Sequence, residues 1–346
     1  MVGAQWGDDT GMEERVERQG TSRRGLLRMG AGLAGIGLLP GCAGAAGTGP
    51  WRGVNLVATP EAPLGSDACG RSLRNLRALG ANAVALIPFL WQPAPGDPAI
   101  VPGDAVGPAD LRAGIRQARG LGLRVMVKPH VWVPQTWAGA IGFTDPADQA
   151  EWLRRYRAIL LDLAELAAAE GAEALAIGTE LRGVSADPAW GGIIDAVRDR
   201  YGGIVTYVAH WDGELARLSF RDRLDVAAIS LYPPLGDGTD LEAAIAALAG
   251  DLSRQGPLWV GELGLRSAVG AQERPWESAE ERDAHPDGGL QARVLDLWLA
   301  ALTRHGMDDV LVWRWFSDPD AGGPQDTDFT IQGKPAEAVL RRHFQN

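Results

Sequence analysis

Two short stretches place a carboxylate where it could do chemistry. In Ala172–Gly183 an apolar run, Ala174–Ile177, ends in the small residues Gly178 and Thr179 and then in Glu180. The pattern returns in Leu258-Trp259-Val260-Gly261-Glu262-Leu263. Each glutamate thus stands at the C-terminal end of a buried strand. Cleaving a glycosidic bond needs two such groups, one protonated to release the leaving oxygen and one charged to attack the anomeric carbon. A single strand-end glutamate could equally cap a helix or pair with an arginine; two in the same setting favour the catalytic reading.

The elements that must position them follow a regular beat. A helix-like stretch ends in glycine, and an apolar run starts within a few residues, at Gly80, Gly122, Gly171, Gly202, Gly256 and Gly306. Glycine suits the residue after a helix because the left-handed backbone costs it nothing. Trp51–Val57 and Leu224–Ser230 complete a set of eight strands. Asp145-Pro146 and Asp187-Pro188 read as helix starts, an acid at the cap before proline at the first helical position. From Asp145, apolar residues at Trp152, Tyr156, Ile159, Leu160, Leu163 and Leu166 mark one buried helix face. Eight strands alternating with helices predict an α/β fold of the (β/α)8 TIM-barrel type, a single domain over 51–346. A doubly wound open sheet is the alternative, but no glycine-rich phosphate fingerprint follows the first strand. Long loops fall at Gln92–Val106, Val133–Thr144 and Ser267–Gly289, after strands 2, 3 and 7. The active site of such a barrel is built by these loops.

Glu180 then ends strand 4 and Glu262 ends strand 7, across the barrel mouth from each other. Tyr232, ending strand 6, is placed to donate to the Glu262 carboxylate. Trp313 and Trp315 alternate on strand 8, so both are expected on one face, as platforms beneath a sugar. Trp91, Trp132, Trp137 and Trp211 lie at strand ends or in βα loops and add candidates for stacking. Lys128 and His130 after strand 3 and His210 after strand 5 are candidates for bonding sugar hydroxyls. Asn55 and Arg52 on strand 1 are further candidates, Arg52 alternatively as a buried partner of either glutamate. The acidic segment Glu273–Asp287 reads as a solvated lid, with calcium binding a lesser possibility.

Ile-Gly-Thr-Glu-Leu at 177–181 and Val-Gly-Glu-Leu-Gly at 260–264 resemble clan A of the glycoside hydrolases, and within it family 113, known for β-mannanases. The resemblance extends over Trp51–Phe344, through Trp313-Arg-Trp-Phe316 and Gly333-Lys-Pro-Ala336. It implies a retaining hydrolase of β-linked glycans, with Glu180 as acid/base, Glu262 as nucleophile, β-mannan or manno-oligosaccharide as first substrate and no cofactor. Much of the clan carries Asn before the acid/base, where it contacts the sugar 2-hydroxyl. This chain has Thr179, so that position carries no implication for sugar identity.

Composition narrows the partners. The chain has 346 residues and a net charge of −11, from 33 basic and 44 acidic side chains, which disfavours nucleic acid and suits a neutral carbohydrate. Residues 1–42 read as an export leader. Arg23-Arg24 precede a short apolar segment, the mark of twin-arginine export, and Leu39-Pro-Gly-Cys42 is similar to a lipobox. The expectation is an exported cell-envelope protein, held to the membrane by lipid on Cys42 or released by plain cleavage, with 43–50 as a flexible tether. Cys69, the only other cysteine, has then no disulfide partner. No Cys/His cluster has zinc-ligand spacing, which disfavours a metal-dependent hydrolase. The competing reading from another class is a non-catalytic glycan-binding envelope lipoprotein on the same scaffold.

Overall fold

The computed structural model describes residues 49–345, apart from 237, 239 and 280. The leader, Cys42 and all but the last two residues of the tether lie outside the described residues. The elements run β1 (Arg52–Val57), α1 (Asp67–Ala78), β2 (Ala83–Leu86), β3 (Phe89–Trp91), β4 (Val101–Pro102), α2 (Pro108–Gly120), β5 (Arg124–Val127), β6 (His130–Trp132), α3 (Pro146–Glu170), β7 (Ala174–Thr179), α4 (Trp190–Arg198), β8 (Ile204–His210), β9 (Val226–Leu231), α5 (Leu241–Ser253), β10 (Leu258–Leu263), α6 (Gly288–Arg304), β11 (Val310–Phe316) and α7 (Ala336–Phe344). Among the described residues no helix is long and apolar enough to cross a membrane.

Eight strands, β1, β2, β5, β7, β8, β9, β10 and β11, close into a parallel barrel in chain order. The chain is a TIM barrel, with β7 and β10 its fourth and seventh strands. Strand alternation explains the core. In β2 and β7 the alanines Ala83, Ala85, Ala174 and Ala176 face inward, with Met126, Val208 and Leu311. Their larger neighbours Val84, Leu86, Leu175 and Ile177 face outward under the helices. A narrow interior takes small side chains; the wider layer between sheet and helices takes Leu, Ile and Trp.

Helix α3 is fixed by the residues that mark it in the sequence. Asp145 accepts from the Ala147 amide at 2.8 Å and Pro146 opens the helix. Trp152 and Tyr156, one turn apart, stack at 4.8 Å. Trp152 Nε1 donates to Gln92 Oε1 (2.7 Å), and Tyr156 Oη donates to the Ile177 carbonyl (3.0 Å). The helix is therefore bonded to the strand that carries Glu180. The other expected start differs: Asp187 Oδ1 accepts from the Ala189 amide in a turn, and α4 begins only at Trp190.

One element departs from the plain barrel. β3, β4 and β6 form a small separate sheet above the β2 and β5 ends. Pro88 and Pro129 explain it. Each follows a barrel strand and offers no amide to continue the ladder, so the chain resumes as β3 and β6, which pair with each other instead. Trp152 is fully buried under this region. Trp152→Ala should cost about 3–5 kcal/mol of unfolding free energy in a urea titration; a loss below about 1 kcal/mol would contradict its place in the core.

Candidate active site

The backbone turns sharply at both glutamates. Pairing of β7 with β8 slips between Ala176 and Thr179, and pairing of β10 with β9 slips between Val260 and Glu262. Such bulges re-aim the side chain that follows. A glycine sits in each for a steric reason. A Cβ on Gly178 would lie 2.7 Å from the Tyr207 ring, and one on Gly261 would lie 2.8 Å from Val208. Both glycines thus admit β8 side chains at close approach. Beyond the first bulge, Glu180 adopts φ 54°, a left-handed conformation uncommon for a residue with a side chain.

The two carboxyl groups meet opposite surroundings. Glu262 forms an ion pair with Lys128, itself fully buried, and accepts from Tyr232 Oη at 2.9 Å. Each Glu262 oxygen therefore has one donor on it. Among the described residues no cationic side chain pairs with Glu180; its bonding partner is the Ser230 hydroxyl, which donates to Oε1. Burial, and then the negative charge of Glu262, push the Glu180 carboxyl up to about 8, against an ordinary value of 4.5. Burial and the Glu262 charge likewise raise Tyr232 well above its ordinary range, so it remains a donor.

Aromatic side chains run outward from this centre in two series. Trp313 lies under Lys128 Nζ at 5.2 Å and beside the His130 ring at 5.8 Å. Phe89 follows at 5.8 Å from His130, and Trp132 at 6.2 Å from Phe89. In-register pairing of β3 and β6 puts Phe89, Trp91, His130 and Trp132 on one face of the small sheet, with Trp91 and Trp132 exposed at 41% and 52%. In the second series the rings of Trp137, His210, Trp211 and Trp276 succeed one another at 4.7, 5.3 and 6.5 Å. Burial lowers His130 and His210 to about 4, so both rings are neutral at pH 7.

Several expected roles change. Trp315 is no platform: it is buried, with Nε1 donating to Ser72 Oγ on α1 at 2.7 Å. Asn55 pairs with Trp313 and Leu56 with Trp315, skipping Arg314, and the extra residue turns the two tryptophans to different sides. The Trp313–Arg314 peptide is cis. Asn55 is fully buried and donates to the Gly261 carbonyl at 3.0 Å, bracing the strand of Glu262 rather than facing a sugar. Arg52 starts β1 at the opposite end of the barrel, 3.8 Å from Asp308, away from both glutamates. Lys128 is the counter-ion of Glu262 rather than a sugar contact. Thr179 is buried, its hydroxyl donating to the Pro129 carbonyl at 3.3 Å. The acidic segment Glu273–Asp287, expected as a solvated lid, is tied down from below. Arg266 is buried beneath it and donates to the carbonyls of Thr327, Ser278 and Arg282. Glu277, in the acidic segment, bonds Arg274 and Arg282. Among the described residues no three His, Cys, Asp or Glu side chains are grouped to hold a metal.

Five residues are absent from the sequence reading: Ser230, Phe89, Trp276, and Tyr207 with Glu214, whose carboxyl group accepts from the Tyr207 hydroxyl. Ser230 was findable, since it stands two residues before Tyr232 on β9 and shares its face. Phe89 was findable by the same period from Trp91. Nothing local marks the others. A separate groove of about 630 Å3 on the outer wall between α3 and α4 contains none of these groups.

The sequence matches Glycoside Hydrolase Family 113 over residues 58–334, most of the chain. The chain belongs to glycoside hydrolase family 113. It is therefore a glycoside hydrolase enzyme. The family 113 β-mannanase AaManA from Alicyclobacillus acidocaldarius, solved in complex with ManMIm, is 27% identical, with 86% of this chain and 97% of that one covered at a TM-score of 0.74. A family 113 β-1,4-mannanase is 23% identical at a TM-score of 0.75, covering 86% and 99%. A family 5 mannosidase from Rhizomucor miehei, 10% identical, shares the fold at a TM-score of 0.61, covering 86% and 92%. No curated protein sequence is a significant match.

The raised Glu180 carboxyl has a consequence for stability. Between about 4.5 and about 8 the folded protein holds a proton there that the unfolded chain has lost, so this group's contribution falls as pH rises through that window. Glu180→Gln removes the titration. Its stability relative to wild type, from denaturant titrations at a series of pH values, should grow from pH 4.5 to 8 by up to a few kcal/mol and then level. A difference constant across that range would contradict the assignment.

Proposed function

We propose that this family 113 enzyme is a retaining β-mannanase acting by double displacement. The observation that carries the proposal is the asymmetry of the two buried carboxyl groups. Glu262, charged between Lys128 and Tyr232, attacks the anomeric carbon and forms a glycosyl-enzyme. Glu180, protonated by burial and by its charged neighbour, gives its proton to the departing glycosidic oxygen. With Glu262 esterified, the negative charge that raised Glu180 is gone. Glu180 then accepts a proton from the water that releases the sugar.

Family membership and the likeness to the A. acidocaldarius β-mannanase support mannan as substrate. The two aromatic series support a chain of sugars over a single residue, since neutral rings and indoles stack on pyranose faces. The twin-arginine leader and Cys42 support export and a lipid anchor, which would place the enzyme at the cell envelope beside polymer arriving from outside.

Hydrolysis of β-mannan and manno-oligosaccharides, followed by proton NMR from the first minutes, tests the proposal. The β-anomer should appear first and mutarotate later, and Glu262→Ala should lose activity by at least about a thousandfold. Initial release of the α-anomer would refute retention. Binding of mannan without turnover would leave a glycan-binding protein instead.

A further inference from the structure

Glu214 is a buried carboxyl group that the double displacement does not use. It lies four residues past the end of β8, with no exposed surface. Tyr207 Oη donates to its Oε1 at 2.6 Å, and the His210 amide donates to its Oε2 at 2.6 Å. The Tyr207 oxygen in turn accepts from the Leu181 amide at 2.8 Å. Leu181 directly follows Glu180. The Glu180 amide still joins the barrel ladder, donating to the Val208 carbonyl at 2.8 Å. At φ 54° the chain then turns out of the ladder, and the next amide, fully buried, would have no strand partner. A buried orphan amide costs about 1–3 kcal/mol. The Tyr207 oxygen meets that demand, and because it spends its proton on Glu214 it presents a lone pair to Leu181. The chain of bonds runs Glu214 to Tyr207 to the peptide that aims Glu180.

We propose that Glu214, acting through Tyr207, is a positioning residue that holds the left-handed turn by which Glu180 points its carboxyl group at the glycosidic oxygen. The proposal rests on reading Glu180 as the acid/base. Both Glu214 oxygens accept, Oε1 from Tyr207 and Oε2 from the His210 amide, and burial raises the group above its ordinary range. The charged and titrating groups facing Glu180 are Glu262 from β10, Lys128 beyond β5 and Glu214 itself, with Ser230 of β9 bonded to it. Of these, Glu262 and Glu214 favour its protonated form and Lys128 opposes it.

The test uses the full chain as Glu214→Gln, Tyr207→Phe and, as reference, Glu180→Gln. Each is assayed on dinitrophenyl β-mannoside, which leaves without acid help, and on mannopentaose, which does not. Glu214→Gln should lower kcat/KM on mannopentaose about tenfold or more, with kcat/KM on the aryl substrate, which reports glycosylation alone, nearly unaffected. The basic limb of its kcat/KM profile should move to lower pH, because Glu214 favours the protonated form of Glu180. Tyr207→Phe, which keeps the Glu214 carboxyl group, should show the same leaving-group dependence without that acid shift, and it covers the case in which Glu214→Gln folds poorly. Wild-type kinetics in both variants, or equal losses on both substrates with an unmoved profile, would overturn the positioning role while Glu180→Gln still shows leaving-group dependence. Full activity of Glu180→Gln on mannopentaose would overturn the acid/base reading, and this inference with it.

Discussion

The site depends on one contact, the buried ion pair between Lys128 and Glu262. It joins the end of β5 to the end of β10 across the barrel and gives one of the two glutamates a cation that the other lacks. A carboxylate in such a place is costly unless a cation and further donors meet it; Lys128 and Tyr232 meet one oxygen each. Once Glu262 is charged, the second carboxyl group a short way across the mouth cannot easily ionise. Among the described residues the group bonded to Glu180 is a serine hydroxyl, and burial works in the same direction. In the proposed mechanism the division into acid and nucleophile follows from what surrounds two side chains of identical chemistry.

The barrel supplies this arrangement through its strand ends. Small inward residues let eight strands close around a narrow interior, and the register slips after Ala176 and Val260 turn the chain just before each glutamate. Both slips lean on β8, whose Tyr207 and Val208 fill the space that Gly178 and Gly261 leave open. Tyr207 serves twice, packing against Gly178 and accepting from the Leu181 amide. Asn55 braces the other slip from β1. The precision of the site therefore comes from the barrel wall and from the bonds that tie it together across strands.

Much of this could be read from the amino acids in order. The eight barrel strands are buried runs with helices between them, and Glu180, Glu262 and Tyr232 close three of those runs, so their convergence follows from topology. What escaped was set by contacts between distant segments. β3, β4 and β6 are two or three residues long, too short for periodicity, and only the prolines at 88 and 129 hint at them. Trp315 seemed to share the face of Trp313 because a skipped residue in pairing leaves no mark in one strand's sequence. Lys128 reads in the sequence as a sugar contact because its carboxylate partner lies 134 residues away. Thr179, which raised the question of sugar recognition, spends its hydroxyl on the Pro129 carbonyl.

The central claim is that Glu262 is the charged nucleophile of the pair. The most direct measurement is covalent trapping with a deoxyfluoro mannosyl fluoride, whose fluorine slows release of the glycosyl-enzyme, followed by peptic digestion and mass spectrometry. A single labelled peptide with the sugar on Glu262 is expected. A label on Glu180, or no covalent adduct in an enzyme that turns over mannan, would contradict it.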